Sequence, residues 1–200
     1  LGCDGFSTAC ALNGVILIKC DTLNIPHAFS TRIGGVSEGA FSSLNLSYSS
    51  GDNPEAIKEN YRRFFLAAGL SESAAFTRQV HETNIFSVSG PMSYADAPEC
   101  DGLYTETPNL TLCGRFADCV PILLYDPKRH AAAVVHSGWR GTAAGICGHA
   151  VKTFTGRGSS PADITAAIFP AISPCCFTMH DIYPFSRGIT AGFASKYICS

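Results

Sequence analysis

Short apolar segments separated by turn residues fill the middle of the chain, and they restrict the folds open to it. Each segment is apolar or β-branched and too short for a typical helix, which is the pattern of strands. In chain order they lie near residues 76–80, 84–88, 102–106, 110–115, 121–125 and 131–136. Further strands are predicted at residues 14–19, 27–32 and 163–169. The sequence therefore predicts a domain built mainly from short strands.

One helix is predicted from the chemistry of both its ends. Asn53 is a suitable N-cap, Pro54 suits the first helical position, and Glu55 complements the positive end of the helix dipole. Gly69 ends the helix. The side chains expected on its buried face are those of Ile57, Tyr61, Phe64, Phe65 and Ala68.

A second helix is predicted from about Thr142 to Phe154, and a third after Asp181. The second helix places Ile146, Ala150, Val151 and Phe154 on one side. No internal repeat, low-complexity tract or linker divides the chain. We therefore expect a single α+β domain over residues 1–200.

The charge and hydropathy of the chain exclude two classes of partner. Charged residues make up 15% of the sequence, the formal net charge is −2, and lysine and arginine form no cluster. Nucleic-acid binding through phosphate neutralisation is therefore not expected. The apolar run at residues 15–18 is far shorter than a membrane span and reads as a buried strand, so no membrane partner is expected. The sequence does not specify an oligomeric state.

Ten cysteines admit two interpretations. An even number could form five disulfides in a secreted protein. However, the chain is long enough, and rich enough in apolar residues, to fold without such crosslinks, and no secretory segment is visible. Free cysteine packs as a small buried apolar residue. We therefore favour a reduced chain in the cytoplasm.

Three segments place metal-binding side chains at the ends of predicted strands, where a rigid scaffold often holds functional groups. His81 ends a short strand, Cys119 precedes another, and His136 ends a buried strand that runs into a glycine-flanked turn. Two histidines and a cysteine suit zinc and leave one coordination position open, as catalytic zinc sites require. Copper accepts the same donors. Because the three residues lie far apart in sequence, no spacing rule joins them, and each could instead be an ordinary structural residue.

Four other residues are candidates for catalysis or substrate binding. Arg140 follows Trp139 at a predicted helix start, and it is either a surface charge or part of an anion site. Asp118 either caps a turn, or has a function in which it orients a histidine or takes a proton. Asn45 either satisfies loop backbone or contacts substrate. Gln79, two residues before His81, is a further candidate for substrate binding.

The segments that carry these residues resemble one known family. The matching stretches, given with their first residue, are FSTRIGGVSEGAFSSLNL from 29, GDNPEAIKENYRRF from 51, RQVHETN from 78, ECDGLYT from 99, ADCVPILLYDP from 117, HSGWRGTAAGI from 136 and FPAISPCCF from 169. In this order they are similar to the multicopper polyphenol oxidase (laccase) domain, also called the YfiH family of purine nucleoside phosphorylases.

The resemblance implies a layered α/β/β/α sandwich with mixed sheets. It also implies zinc bound by the histidine of QVH, the cysteine of ADCxP and the histidine of HxGWRG, which are His81, Cys119 and His136 here. The implied reactions are phosphorolysis of adenosine, inosine, guanosine and methylthioadenosine, and deamination of adenosine. The expected small-molecule partners are therefore a purine nucleoside and phosphate.

The chain departs from the family pattern at three places. Glu82 follows the QVH histidine where the family usually has glycine, and Arg115 and Phe116 precede ADC where aliphatic residues and threonine are usual. The similarity fades after Phe177, so either the domain is shortened at its C-terminus or its end has diverged.

Three other functions compete with the zinc enzyme. Copper at the same ligands would give a polyphenol oxidase, but multicopper sites need many histidines and the chain has six. Without a metal, Cys119 could be the nucleophile of a cysteine hydrolase, with His136 or His81 as its base. The domain could also be a binding or regulatory module without catalytic activity.

Overall fold

The structure is a computed structural model that describes residues 5–173, 176 and 177. Its strands are β1 (Phe6–Cys10), β2 (Ile16–Cys20), β3 (Phe29–Ser30), β4 (Ala74–Phe76), β5 (Ile85–Ser87), β6 (Gly102–Thr105), β7 (Thr111–Cys113), β8 (Val120–Asp126), β9 (Ala131–Ser137) and β10 (Thr165–Ile168). Its helices are α1 (Pro54–Ala68), α2 (Trp139–Ala143) and α3 (Ile146–Thr155). Among these helices, none combines the length and apolar character needed to cross a bilayer.

The strands form three sheets. A five-stranded mixed sheet has the order β10-β8-β9-β6-β5, in which only β5 and β6 run parallel within the described residues. Strands β1, β2 and β3 form an antiparallel sheet, and β4 pairs with β7 in parallel. The longest pairing joins β8 to β9, from Val120 opposite Ser137 to Asp126 opposite Ala131. This pairing aligns the start of β8 with the end of β9.

The sheets lie between two helices. The buried face of α1 packs with Leu17 of β2 and Phe76 of β4. On the other side of the molecule, α3 packs against one face of the five-stranded sheet, which includes Val135. Val134 points to the opposite face and packs with Ala75 of β4, so the sheets contact each other. The result is the expected α/β/β/α sandwich with mixed sheets.

The helix predicted from its end residues is confirmed. The Asn53 side chain accepts a hydrogen bond from the backbone N–H of Glu55 at 2.9 Å, and Pro54 is the first helical residue. Gly69 follows the helix in the left-handed region at φ 68°, which a residue with a side chain rarely adopts. The five predicted apolar residues are all buried. Local sequence chemistry fixed this element at both ends.

Three other predictions were wrong in extent. The strand predicted near 76–80 ends at Phe76, and Val80 and His81 lie in a loop whose N–H groups bond to Asp101 instead of a neighbouring strand. The helix expected from Thr142 is two helices, because Gly145 adopts φ 81° and separates α2 from α3. The strand predicted at 27–32 pairs only over β3, since β2 offers a partner at two positions there. Strand β1 was not predicted, because four of its five side chains are exposed and give no apolar pattern. The helix predicted after Asp181 lies outside the described residues.

Candidate metal centre and cleft

Strand pairing brings two of the three predicted metal ligands together. His136 on β9 lies opposite Pro121 of β8, and Cys119 immediately precedes β8. Cys119 therefore sits at the end of the sheet where β9 leaves it for α2. The antiparallel register, which no local sequence pattern specifies, places these ligands beside each other.

The third ligand comes from the loop between β4 and β5. His81 has a left-handed backbone conformation with φ 63°, which is uncommon for a residue other than glycine. Backbone N–H groups of Val80, His81 and Glu82 donate to the carboxylate of Asp101 at 3.2, 2.9 and 2.8 Å. These three hydrogen bonds fix the loop against the residue that precedes β6.

The three ligand side chains converge. One donor atom from each of His81, Cys119 and His136 lies within 4.8 Å of the others. The two imidazole rings are 4.9 Å apart between centroids and nearly perpendicular, at 86°. His81 is exposed, Cys119 partly buried and His136 buried, so the group opens to solvent on one side.

Gly138 forms the floor beneath the three side chains. A Cβ atom at this position would lie 2.9 Å from His81 Cδ2, 3.3 Å from Cys119 Sγ and 3.5 Å from His136 Cε1. Its φ of −67° and ψ of 164° are accessible to any residue, so the backbone does not require glycine. The ligands require it, because a methyl group would occupy the space between them.

These residues fit a zinc ion. Two imidazoles and one thiol are a donor set of catalytic zinc sites, and the absence of a Cβ at Gly138 keeps the space among them clear. His136 donates from Nδ1 to Asp101 Oδ1 at 2.8 Å, which leaves Nε2 as the free nitrogen.

Burial acts on the protonation of two ligands. Burial lowers the pKa of His136 and so favours the neutral ring that a metal requires. The neighbouring Asp101 carboxylate acts in the opposite direction and raises this pKa. Burial also raises the pKa of Cys119, and the negative charges of Asp118 and Asp101 add to this effect. Without a cation the thiol is thus the favoured form, whereas a reactive cysteine nucleophile needs a lowered pKa.

A cleft of about 380 Å³ opens beside the ligands. It is lined by His81, Glu82, Thr83, Trp139, Arg140, Ala143 and Ala144. His81 belongs to both the cleft and the ligand group, so a molecule in the cleft would contact this ligand, whereas Cys119 and His136 do not line the cleft. The guanidinium carbon of Arg140 lies 4.5 Å from the centre of the Trp139 ring, which matches the predicted pairing of these residues. Since α2 has only five residues, the charge of Arg140 is the main attraction for an anion there.

The remaining predicted site residues lie elsewhere or serve local structure. Asp118 is exposed, and its backbone carbonyl accepts a hydrogen bond from Ile172. Gln79 donates from Nε2 to the carbonyl oxygen of Arg115 at 2.6 Å. Asn45 donates to Ser50 and Asp52 within its own loop. Gln79 and Asn45 are not among the residues that line the cleft, and their substrate contacts stay predictions.

Sequence reasoning did not assign two residues of the site, Asp101 and Gly138. Both lie inside stretches that carry the family resemblance, in ECDGLYT and HSGWRG. An acidic residue before a buried strand, and a second glycine between His136 and Arg140, were the available signals. Neither signal indicates the role of Asp101 or of Gly138 unless the fold is known.

The mixed-sheet sandwich with a His–Cys–His group beside a cleft agrees with one known family. The model of the family "Multi-copper polyphenol oxidoreductase laccase" matches residues 26–186. The chain belongs to this family.

Two curated relatives and one solved structure show the similarity. The chain is 41% identical over 162 residues to "Purine nucleoside phosphorylase YlmD" of Geobacillus stearothermophilus, covering 76% of this chain and 59% of that protein. It is 37% identical over 148 residues to "Purine nucleoside phosphorylase YfiH" of Escherichia coli, covering 74% and 59%. The crystal structure of the hypothetical protein YfiH of Bacillus licheniformis matches with a TM-score of 0.81 at 35% identity, covering 97% of this chain and 75% of that chain. The chain thus spans about three fifths of the length of these curated relatives.

Proposed function

We propose that this chain carries the active site of a zinc-dependent enzyme that cleaves purine nucleosides with phosphate. One observation carries the proposal: His81, which converges with Cys119 and His136, lines a cleft that also contains Arg140. A metal site and a cation for phosphate are thereby adjacent. The names of the curated relatives support the same substrate class.

The metal we propose is zinc rather than copper. Multicopper oxidation of phenols requires several metal sites. Within residues 5–173, 176 and 177, the His–Cys–His group is the one cluster of three or more side chains that could hold an ion. Zinc bound by His81, Cys119 and His136 would supply a Lewis acid at the cleft.

The residues of the chain have separate proposed roles. In phosphorolysis a phosphate oxygen bonds to the anomeric carbon while the bond from that carbon to the purine nitrogen breaks. The proton of hydrogen phosphate goes to the purine, so ribose 1-phosphate and the free base result. We assign phosphate binding to Arg140, whose guanidinium can donate two parallel hydrogen bonds. Trp139 offers an aromatic wall for the base. Asp118, whose charge reaches Cys119, is the proposed proton carrier.

The substrates we propose are adenosine, inosine, guanosine and methylthioadenosine. Deamination of adenosine by water at the same site is the proposed second reaction, because the cleft is open to solvent on the side of His81. A metal-free cysteine hydrolase is disfavoured, because the pKa of Cys119 is raised rather than lowered.

The decisive experiment incubates metal-analysed protein with adenosine, with and without phosphate, and separates the products by chromatography. Adenine and ribose 1-phosphate that form only with phosphate support phosphorolysis. Inosine that forms without phosphate supports deamination. Oxidation of phenols with neither nucleoside product would refute the proposal. So would full turnover in a sample without zinc that alkylation of Cys119 abolishes.

A further inference from the structure

Asp101 connects two of the three ligand segments through one buried carboxylate. It is fully buried, at 0% exposure. Oδ1 accepts hydrogen bonds from the backbone N–H of His81 at 2.9 Å and from Nδ1 of His136 at 2.8 Å. Oδ2 accepts from the N–H groups of Val80 at 3.2 Å and Glu82 at 2.8 Å. A buried carboxylate needs such partners, and this one takes all of them from residues at or beside the metal site.

We propose that Asp101 is a positioning residue that builds the metal site before any metal binds, by fixing the His136 tautomer and the His81 backbone together. The inference rests on the metal-binding part of the proposed function and is independent of which nucleoside is cleaved. Asp101 does not touch substrate or the metal, and acts through the two histidines.

The first action is on the His136 ring. An ionised carboxylate only accepts hydrogen bonds, so Nδ1 of His136 must carry the proton. Nε2 then keeps its lone pair, which is the form that binds a metal. The backbone adds to this constraint, because the N–H of His136 donates to the carbonyl oxygen of Asp101 at 2.6 Å. Ring and main chain of His136 are therefore held by the same residue.

The second action is on the His81 loop. The φ of 63° at His81 is a conformation that persists only where the surroundings enforce it. The backbone N–H groups of Val80, His81 and Glu82 all donate to the Asp101 carboxylate, and these hydrogen bonds hold His81 in this conformation. The position of the exposed His81 ring thus depends on a residue twenty positions away in sequence. Cys119 has no hydrogen bond to Asp101 among the described contacts, so Asp101 holds only the two histidines in place, although its negative charge adds to the raised pKa of Cys119.

The substitution Asp101→Asn tests this dependence, because neither orientation of an amide can replace the carboxylate. If the NH₂ group takes the place of Oδ2, it faces the N–H groups of Val80 and Glu82. If it takes the place of Oδ1, it faces the N–H of His81, and His136 must turn Nδ1 into an acceptor. The second orientation is favoured, because it opposes one backbone N–H group rather than two. The proton of His136 would then move to Nε2, the nitrogen that the metal needs.

Asp126 provides a matched control. It is also a buried aspartate, 1% exposed, and its Oδ1 accepts hydrogen bonds from the N–H groups of Lys128 at 2.8 Å and Arg129 at 3.3 Å. It ends β8, at the opposite end of this strand from Cys119. Asp126→Asn therefore reproduces the general cost of removing a buried carboxylate without touching the metal site.

The experiment measures the tautomer of His136 by long-range ¹H–¹⁵N NMR in metal-free protein, and zinc affinity by competition with a coloured chelator. We expect the proton on Nδ1 in the wild type and in Asp126→Asn, and its loss from Nδ1 in Asp101→Asn. Zinc affinity should fall about 10- to 100-fold in Asp101→Asn and stay unchanged in Asp126→Asn.

Two results would overturn the inference: a wild-type His136 protonated at Nε2, or a folded Asp101→Asn variant with wild-type zinc affinity. If Asp101→Asn does not fold, the tautomer of His136 in the wild type decides whether this ring has the proton position that Asp101 requires. A wild type with the Nδ1 tautomer that binds no zinc would contradict the proposed function but agree with the positioning of His136. The two failures are therefore distinguishable.

Discussion

Replacing Gly138 with alanine should weaken zinc binding while leaving the fold intact. The added Cβ would lie 2.9 Å from His81 Cδ2, closer than real Cβ atoms approach. Ordinary contact begins at 3.4 Å, so the His81 ring must retreat by about 0.5 Å. Metal–ligand distances tolerate only about 0.2 Å. Because His81 is exposed, its ring can move with little loss in the free energy of unfolding. The displaced ring weakens metal binding instead.

We expect zinc affinity to drop by at least about tenfold, which is ~1.4 kcal/mol. The assay is zinc competition against a chelator, paired with thermal unfolding of the metal-free protein. The unfolding temperature of the metal-free variant should stay close to that of the wild type, because φ −67° and ψ 164° suit alanine. Zinc should then stabilise the wild type more than the variant, since a ligand stabilises only the state that binds it.

Gly148→Ala is the control for the change itself. Gly148 is exposed on α3 and has no atom within 4 Å of the position of a new Cβ. Alanine there should stabilise the helix by about 0.5–1 kcal/mol and leave zinc affinity unchanged. If Gly138→Ala binds zinc as tightly as the wild type, the ligands do not require glycine at this position and the geometry proposed for the site is wrong.

Three further predictions concern other parts of the molecule. Arg140→Ala should raise KM for phosphate about 10- to 100-fold, the value of one or two charge-assisted hydrogen bonds, with a smaller effect on KM for the nucleoside; equal effects would argue against phosphate binding. Iodoacetamide should label the exposed Cys147 before Cys113, whose pKa burial raises to about 12, and unfolding should remove the difference in peptide mass spectra. Hydrogen bonds from Arg62 and Arg63 lower the pKa of Glu59 from 4.5 to about 2. A carboxyl group whose pKa is lowered by folding stabilises the fold at pH values above its pKa in the unfolded chain. The free energy of unfolding of the wild type should therefore exceed that of Glu59→Gln by its full amount above pH 4.5, and by less as the pH falls towards 2. A difference in unfolding free energy that is constant with pH would refute this.

The sequence determined the elements whose signals are local. Helix α1 could be predicted at both ends because Asn53 and Gly69 act within one turn of the residues they cap. Five of the six strands predicted near the middle of the chain were located because each carries its own apolar pattern, whereas the strand predicted near 76–80 lies at Ala74–Phe76. Strand β1 was missed because its pairing with β2, and not its burial, makes it a strand. The break at Gly145 depends on a left-handed conformation that the glycine permits but does not impose.

The candidate site follows the same division. Residue types and strand ends, together with the family resemblance, selected His81, Cys119 and His136 from the sequence. Their meeting depends on the register of β8 with β9 and on a loop held by Asp101, and both are long-range contacts. The tertiary structure alone gave Asp101 and Gly138 their roles, because a buried carboxylate and a missing Cβ acquire function only from what surrounds them. The sequence gives the chemical type of each side chain directly. The distances between side chains that are remote in sequence are set only when the sheets pair and pack.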